Sequence, residues 1–350
     1  MNSPKVKIFI SYKDEHKLFK NEIITPIQTG RAIATKSFEG MLGDDTGDNV
    51  SKENPRYNEL SAQYWVWKHY EEIGNPDYVG FMHYRRHFVF DENFSLQNKA
   101  SWFPGMPIYK IAAQDASCEK NLYPEAILAT LKEQADCYVI KPYDIRQFAP
   151  GDLYMKHHFL NYVPGSRRDV WNQFVQVVCD VTPDYVPYLR QFMYGHTLHA
   201  CNMFIMKKDL FFEYSSFCFR VLKELDKRVD SSSFKGQEER FLGFLGEYLL
   251  TIFVMKLQQE SSRKISYLDA LFLTEKNSSF TKKLSDYFAI INTSTHKVLV
   301  LFGKQIKLKR HNRARLLVKR LEMQEKQLAV LESKITDLEE ELFFKELKKR

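Results

Sequence analysis

Short apolar runs alternate with helical stretches through the first 260 residues, and few folds satisfy that alternation. The segment "KVKIFISYK" (5–13) reads as a buried strand leaving the N-terminus. In "NPRYNELSAQYWVWKHYEEIG", Leu60, Tyr64, Trp67 and Glu71 recur at helical spacing, so one helix is predicted between Asn54-Pro55 and Gly74. "DYVGFMHYRRHFVF" reads as a strand, and "YPEAILATLKEQADCYVIK" as a helix followed by a strand. "RDVWNQFVQVVCDV" is an amphipathic helix stopped by Thr182-Pro183. "ACNMFIMKKDLFFEYSSFCFRVLKELDKRV" gives a strand, a Lys-Lys-Asp turn and a long helix, and "EERFLGFLGEYLLTIFVMKLQQE" a further helix. Such an order predicts a mostly parallel α/β sheet covered on both faces, with ligands bound beyond the carboxyl ends of its strands.

With 350 residues, 44% of them hydrophobic, the chain can bury one large core and carry an appendage. Gly and Pro are sparse and aromatics reach 14%, which argues against wholesale disorder. The first fifteen residues lack an apolar stretch of leader length, and the longest nearly apolar run, 241–255, contains Glu247 and is short for a bilayer. A cytosolic protein is therefore expected. Five scattered cysteines with no C-x-x-C spacing point to buried thiols, not to a disulfide framework or zinc site.

The formal charge of +7 is unevenly spread. Residues 304–350 hold fourteen Lys/Arg against eight Asp/Glu, while the preceding chain holds thirty-seven against thirty-six. The body is neutral and the tail basic, with eight Lys/Arg and no acid in 304–320. From Ala314 a heptad places Ala314, Leu321, Leu328, Ile335 and Leu342 at a. Leu317, Gln324, Leu331, Leu338 and Lys345 fall at d, which predicts a coiled coil over 313–350, in competition with a helix packed on the domain. The segment between, 261–312, reads as a connecting region whose "INTSTHKVLVLFG" is strand-like.

Five constellations could carry chemistry. "GDDTGDNVS" (43–51) gathers Asp44, Asp45 and Asp48 near a helix start, as a loose cation loop or as turn and capping chemistry. "HYRRHF" ends an apolar run in His83, Tyr84, Arg85, Arg86 and His87, either a solvated strand end or donors for an anion. The adjacent pair His157 and His158 suits a metal poorly, because neighbouring side chains diverge. His196 and His199 sit on a loop feeding a buried strand. Arg240, Gly243 and Glu247 share one helical face; Glu247 is either half of an ion pair with Arg240 or a pocket carboxylate, and Gly243 admits a close neighbour.

These segments, with "YVGFMHYRRHF", "NMFIMKKDLF" and "RFLGFLGEYLL", occur in an order that resembles a bacterial family long labelled a domain of unknown function. Its members occur in capsule and O-antigen gene clusters and are regarded as glycosyltransferases, some galactofuranosyltransferase-like. The resemblance covers roughly 5–257 and not the tail. It implies a GT-A-like, Rossmann-related mixed sheet flanked by helices over 1–260. It implies transfer of a sugar, galactofuranose among the candidates, from a UDP-sugar to a glycan or lipid-linked acceptor. It also implies that Ser11, Tyr12, Asp45, Thr46, Asn49, Tyr57, Glu59, His83, Tyr84, Arg85 and Arg86 border the donor. There the arginines and imidazoles would clamp the diphosphate in place of the usual metal; no metal ligand is assigned and no cofactor expected, with a divalent ion left open. Glu247, Asp48 and His199 are the candidate bases, and Tyr154, His157, His158, His196, Asn202 and Arg240 the acceptor-side or pocket residues.

Acceptors of this kind are lipid-linked, so the basic stretch from Lys304 to Arg320 is expected to meet the inner membrane face, and the coiled coil to make a homo-oligomer. The competing readings are a solvated helix and a non-enzymatic coiled-coil scaffold. Nucleic acid is not expected, given the neutral body and the absence of its motifs.

Overall fold

The computed structural model describes residues 4–91, 94, 108–148, 154–163, 167–274, 288–292, 297–301 and 304–308. They fall in two compact units, Met1–Glu275 and Lys276–Arg350. In the first, β1 (Val6–Tyr12), β2 (Ile24–Gln28), β3 (Leu42–Gly43) and β4 (Tyr78–His83) form a parallel group in the spatial order β3-β2-β1-β4. The chain leaves β1 on one side for β2 and returns on its other side for β4. The order thus reverses at β1, and Ser11 of β1 lies level with His83 of β4 at the carboxyl edge. A crevice is expected at such a reversal.

Beyond β4 the sheet is mixed. β5 (Arg86–Phe88), β6 (Ile108–Ala112) and β7 (Cys137–Ile140) follow in the chain, then a separate ribbon of β8 (Tyr143–Asp144) and β9 (Thr197–Leu198). β10 (Phe204–Lys207) runs antiparallel to both β4 and β7, between them. The sequence did not reveal this reversal, because a strand buried on both faces reads as the same apolar run in either direction. β11 (Ile265–Leu268) adds to β7, and β12 (Ala270–Thr274) joins β5 to β6. The sheet therefore takes two strands from beyond residue 260, where the sequence places a connecting region.

Helices Lys208–Arg228 and Phe241–Gln259 pack together, the first against β4 and β10 of this sheet and the second against β9 of the ribbon. The second has the length and apolar composition to cross a membrane, which the sequence reading denied it, but 78% of its apolar window is buried inside the protein. The predicted helix between Asn54 and Gly74 is broken. Asn54–Tyr57 and Leu60–Lys68 are separated by Asn58, whose φ of 51° is left-handed. With ψ at −129° it lies outside the left-handed helical well, where a non-glycine residue needs support from its surroundings. The Asn54 amide donates to its carbonyl at 2.7 Å.

The second unit, taken alone, contains a three-stranded antiparallel sheet: Phe288–Asn292, Lys297–Leu301 and Lys304–Leu308. The strand-like reading of this segment agrees with it. The heptads from Ala314 onward and the basic stretch beyond Leu308 lie outside the described residues.

One buried carboxylate ties the loops of the parallel half together. Asp44 is fully buried. It accepts hydrogen bonds from the Gly30 and Arg31 amides at 2.8 and 3.0 Å, and from the Ser51 and Ser61 hydroxyls at 2.5 and 2.6 Å. Gly30 itself has φ 66°, and a Cβ there would fall 2.7 Å from Asn54, so glycine is required. Asp44→Ala would strand the Gly30 and Arg31 amides and the Ser51 hydroxyl, and is expected to lower unfolding free energy by about 3 kcal/mol or more. Chemical denaturation checks this; a midpoint equal to wild type would exclude the anchoring role.

Candidate active site

A cavity of about 990 Å³ opens beyond the carboxyl ends of β1 and β4. Its character comes from how β4 ends. The strand stops at His83, Tyr84 and Arg85 make the turn, and β5 returns at Arg86, with His83 and Arg86 as direct cross-strand partners. Cross-strand partners share a face, so the imidazole and the guanidinium stand side by side. His83, Tyr84, Arg85 and Arg86 all line the cavity. His87 does not, contrary to the reading of five outward groups: it falls on the other face, fully buried, edge-on to Phe19 at 5.0 Å. Burial lowers its pKa to about 3, so the ring is neutral.

Arg85 is exposed and lies over the rings of Tyr84 and Phe272, at 4.9 and 5.7 Å. Tyr84 in turn stacks on His16 at 4.0 Å. Arg86 is half-buried and, among the described residues, forms no hydrogen bond or ion pair; Glu247 and Glu59 balance it only through space. This is an uncommitted cation in a recess.

Two carboxylates face it. Glu59 enters the cavity because the break at Asn58 turns the chain, and its Oε1 accepts from the Asn202 amide at 2.7 Å. Glu247 comes from helix Phe241–Gln259 and lines the cavity beside Glu59 and Arg86. Burial and the neighbouring charge of Glu59 push its pKa up to about 7, against the pull of Arg86. Arg240 lines the cavity but makes no ion pair with Glu247. It donates to Asn58 Oδ1 at 2.8 Å and to Gln237 Oε1 at 2.9 Å. Gly243 admits the close neighbour expected of it, since a Cβ would fall 2.4 Å from the Asn58 amide.

Cys201 and Asn202 form a turn with both residues left-handed, at φ 75° and 48°. The Cys201 carbonyl meets His83 Nε2 at 2.6 Å, and the Asn202 amide bonds Gly243 O at 2.9 Å as well as Glu59. Asn202 thus stands behind the cavity wall, fixing residues that line it. Ser11 lines the cavity directly. Tyr12 is fully buried; its hydroxyl accepts from the Phe19 amide and donates to Lys17 O, shaping the loop after β1.

Several expected residues lie elsewhere. Asp45 pairs with Arg31 at 2.9 Å, and the Thr46 hydroxyl accepts from the Trp65 indole at 3.0 Å. Asp48 is exposed, accepts from the Tyr64 hydroxyl at 2.8 Å, and lies 3.8 Å from Lys68. Asn49 closes a local turn by bonding Gly47 O and the Ser51 amide. Turn chemistry therefore explains the 43–51 loop, and none of these four lines the cavity. Tyr57 is buried in the core, and burial raises its hydroxyl pKa. His199 is buried with Nδ1 on Ile140 O at 3.0 Å, stacks on Tyr267 and does not line the cavity. Tyr154 and His157 neighbour each other, His158 packs near Tyr248, and His196 lies 3.7 Å from Asp144; none lines this cavity.

The sequence reading missed Thr29, Gly30, Asn54, Asn58 and Phe244, which also line the cavity. Asn54-Pro55 was visible as a helix start, but nothing local marked Asn58 as a break. Among the described residues, no three His, Cys, Asp or Glu side chains are grouped to hold a metal ion.

The family model described as a domain of unknown function, DUF4422, matches residues 7–259. No curated protein matches the chain. Among solved structures, the apo structure of the WbbM bifunctional glycosyltransferase aligns with a TM-score of 0.69 and 32% identity. The alignment covers 77% of this chain and 46% of that one, so the chain spans less than half the length of that relative. The GT-A-like mixed sheet expected from the sequence is the architecture observed. The family match runs from β1 through the helix that supplies Glu247, and the chain belongs to the DUF4422 family, whose fold is glycosyltransferase-like.

Proposed function

We propose that the protein is a glycosyltransferase that moves a sugar from a nucleoside-diphosphate donor, UDP-linked, to a hydroxyl of a glycan or lipid-linked acceptor in surface polysaccharide synthesis. One observation carries this reading: an arginine unpaired among the described residues and a carboxylate with a pKa pushed up to about 7 share a cavity at the sheet's switch point. The activity in the name of the structural relative supports it. Galactofuranose is among the sugars the family resemblance suggests.

The chemistry follows from charge. As the glycosidic C–O bond breaks, its electron pair goes to the diphosphate oxygen, and negative charge grows there. Arg86, aided by Arg85 at the rim, is preorganised to stabilise that charge without a metal ion. The attacking hydroxyl forms the new C–O bond from the opposite side and gives its proton to Glu247, in an inverting transfer. A base with a pKa near the working pH is both available and strong enough to take that proton. The basic stretch 304–320 is proposed to hold the enzyme against an anionic cytoplasmic membrane face, and the heptads to pair two copies.

UDP should raise the melting temperature with chelator present. Arg86→Ala should weaken UDP binding by about 1.5–3 kcal/mol, roughly ten- to 150-fold. Calorimetric titration checks this, and equal affinities would remove the clamp. Glu247→Gln should lower turnover by roughly 10²–10⁴-fold. In the wild type, kcat/KM should rise with pH through about 7 as Glu247 loses its proton, and Glu59→Gln should move that limb to lower pH by removing the like charge. A pH–rate profile without such a limb argues for another base. Stability gives an independent sign. The folded pKa of Glu247 lies above its unfolded value of 4.5, so ionisation costs stability increasingly from pH 4.5 to about 7. Glu247→Gln should therefore melt higher than wild type at pH 8, by a margin that shrinks towards pH 5.

A further inference from the structure

The hydrogen bond from His83 to the Cys201–Asn202 turn determines what the imidazole can do. Its Nε2 lies 2.6 Å from the Cys201 carbonyl oxygen. A carbonyl only accepts, so Nε2 carries the hydrogen. The carbonyl is held in place. Both turn residues are left-handed, Gln63 donates to Asn202 O at 2.9 Å, and the Asn202 side chain is tied to Gly243 O and Glu59. Nδ1 has no partner among the described residues, and the ring lines the cavity. Burial, Arg86 and Arg240 disfavour the imidazolium, outweighing Glu59 and the Cys201 carbonyl, so the ring is neutral. A neutral ring with hydrogen on Nε2 offers a lone pair at Nδ1. That lone pair repels phosphate oxygens and accepts from hydroxyls. Glu59 and Glu247 add acceptors to the same cavity, a set suited to a polyol.

We propose that His83 is a specificity residue whose Nδ1 accepts a hydrogen bond from a hydroxyl of the bound sugar, and that it does not help hold the diphosphate. The proposal rests on the glycosyltransferase reading and revises one part of the expected clamp: the cations do that work, and the imidazole reads the sugar.

Two measurements test it. The first is nitrogen NMR of ¹⁵N-histidine-labelled full-length protein at pH 7, with His83→Gln used to assign the signal. The expected result is hydrogen on Nε2 and a bare Nδ1; a protonated Nδ1 overturns the proposal without touching the proposed function. The second compares UDP affinity with turnover of a panel of UDP-hexoses. In His83→Gln the amide can still donate to the Cys201 carbonyl while the Nδ1 acceptor is gone. UDP affinity should stay within about twofold of wild type, and kcat/KM should fall roughly tenfold or more. If affinity for the UDP-hexose falls relative to UDP, the hydroxyl belongs to the donor; if only the acceptor KM rises, it belongs to the acceptor, and either result supports the assignment. A loss of UDP affinity matching that of Arg86→Ala, or no change in either quantity, overturns it. His83→Asn, which returns an acceptor near Nδ1, should recover part of the turnover and serves as the second variant if Gln misfolds. A wild-type protein that ignores UDP and every UDP-hexose overturns the glycosyltransferase reading, and this assignment with it, even if the NMR result is as expected.

Discussion

A two-residue turn between antiparallel strands leaves its flanking residues no choice of face. β4 and β5 meet at Tyr84–Arg85, so His83 and Arg86 must project together, and His87 must point away into the core. That constraint sets the electrostatics of the whole recess. A guanidinium with no ion-pair partner among the described residues stays tolerable there because Glu59 and Glu247 lie within electrostatic reach, though neither touches it. Burial, with the charge of Glu59 beside it, is why Glu247 keeps its proton near neutral pH. No one member of the group can be understood without the other three.

The left-handed asparagines serve this arrangement. A non-glycine residue in that conformation costs of order 1–3 kcal/mol unless its surroundings compensate. Asn58 ends a helical turn so that Glu59 can enter the cavity, and its side chain receives Arg240. Asn202 follows Cys201 in the same region of backbone space, and its amide reaches both Glu59 and the helix that bears Glu247. Local strain and local hydrogen bonding are thus concentrated where the cavity side chains need fixed positions.

Much of this was legible in the sequence and some was not, for identifiable reasons. The strands, the long helices and the importance of "HYRRHF" follow from apolar periodicity and from an abrupt change of residue type. Glu247 stood out as a carboxylate in an apolar helix, and it lies in the cavity. The acidic loop 43–51 drew attention through its density of carboxylates, yet density does not separate a binding loop from a set of turns. Asp44, read there as one member among several, is the buried anchor, while Asp48 is bonded on the surface. The antiparallel direction of β10 and the break at Asn58 depend on long-range contacts, which a linear pattern does not carry.

The outer edge of β5 is closed by β12, where Leu271 lies opposite His87, Phe272 lies opposite Arg86, and the Leu273 amide bonds the Arg85 carbonyl at 2.7 Å. These residues fall after position 259, where the family match ends. A fragment cut at that conventional border would leave the hairpin's backbone groups bare, with an open strand edge of the kind that recruits other chains into aggregates. The compact unit, which runs to Glu275, is therefore longer than the stretch by which the family is recognised.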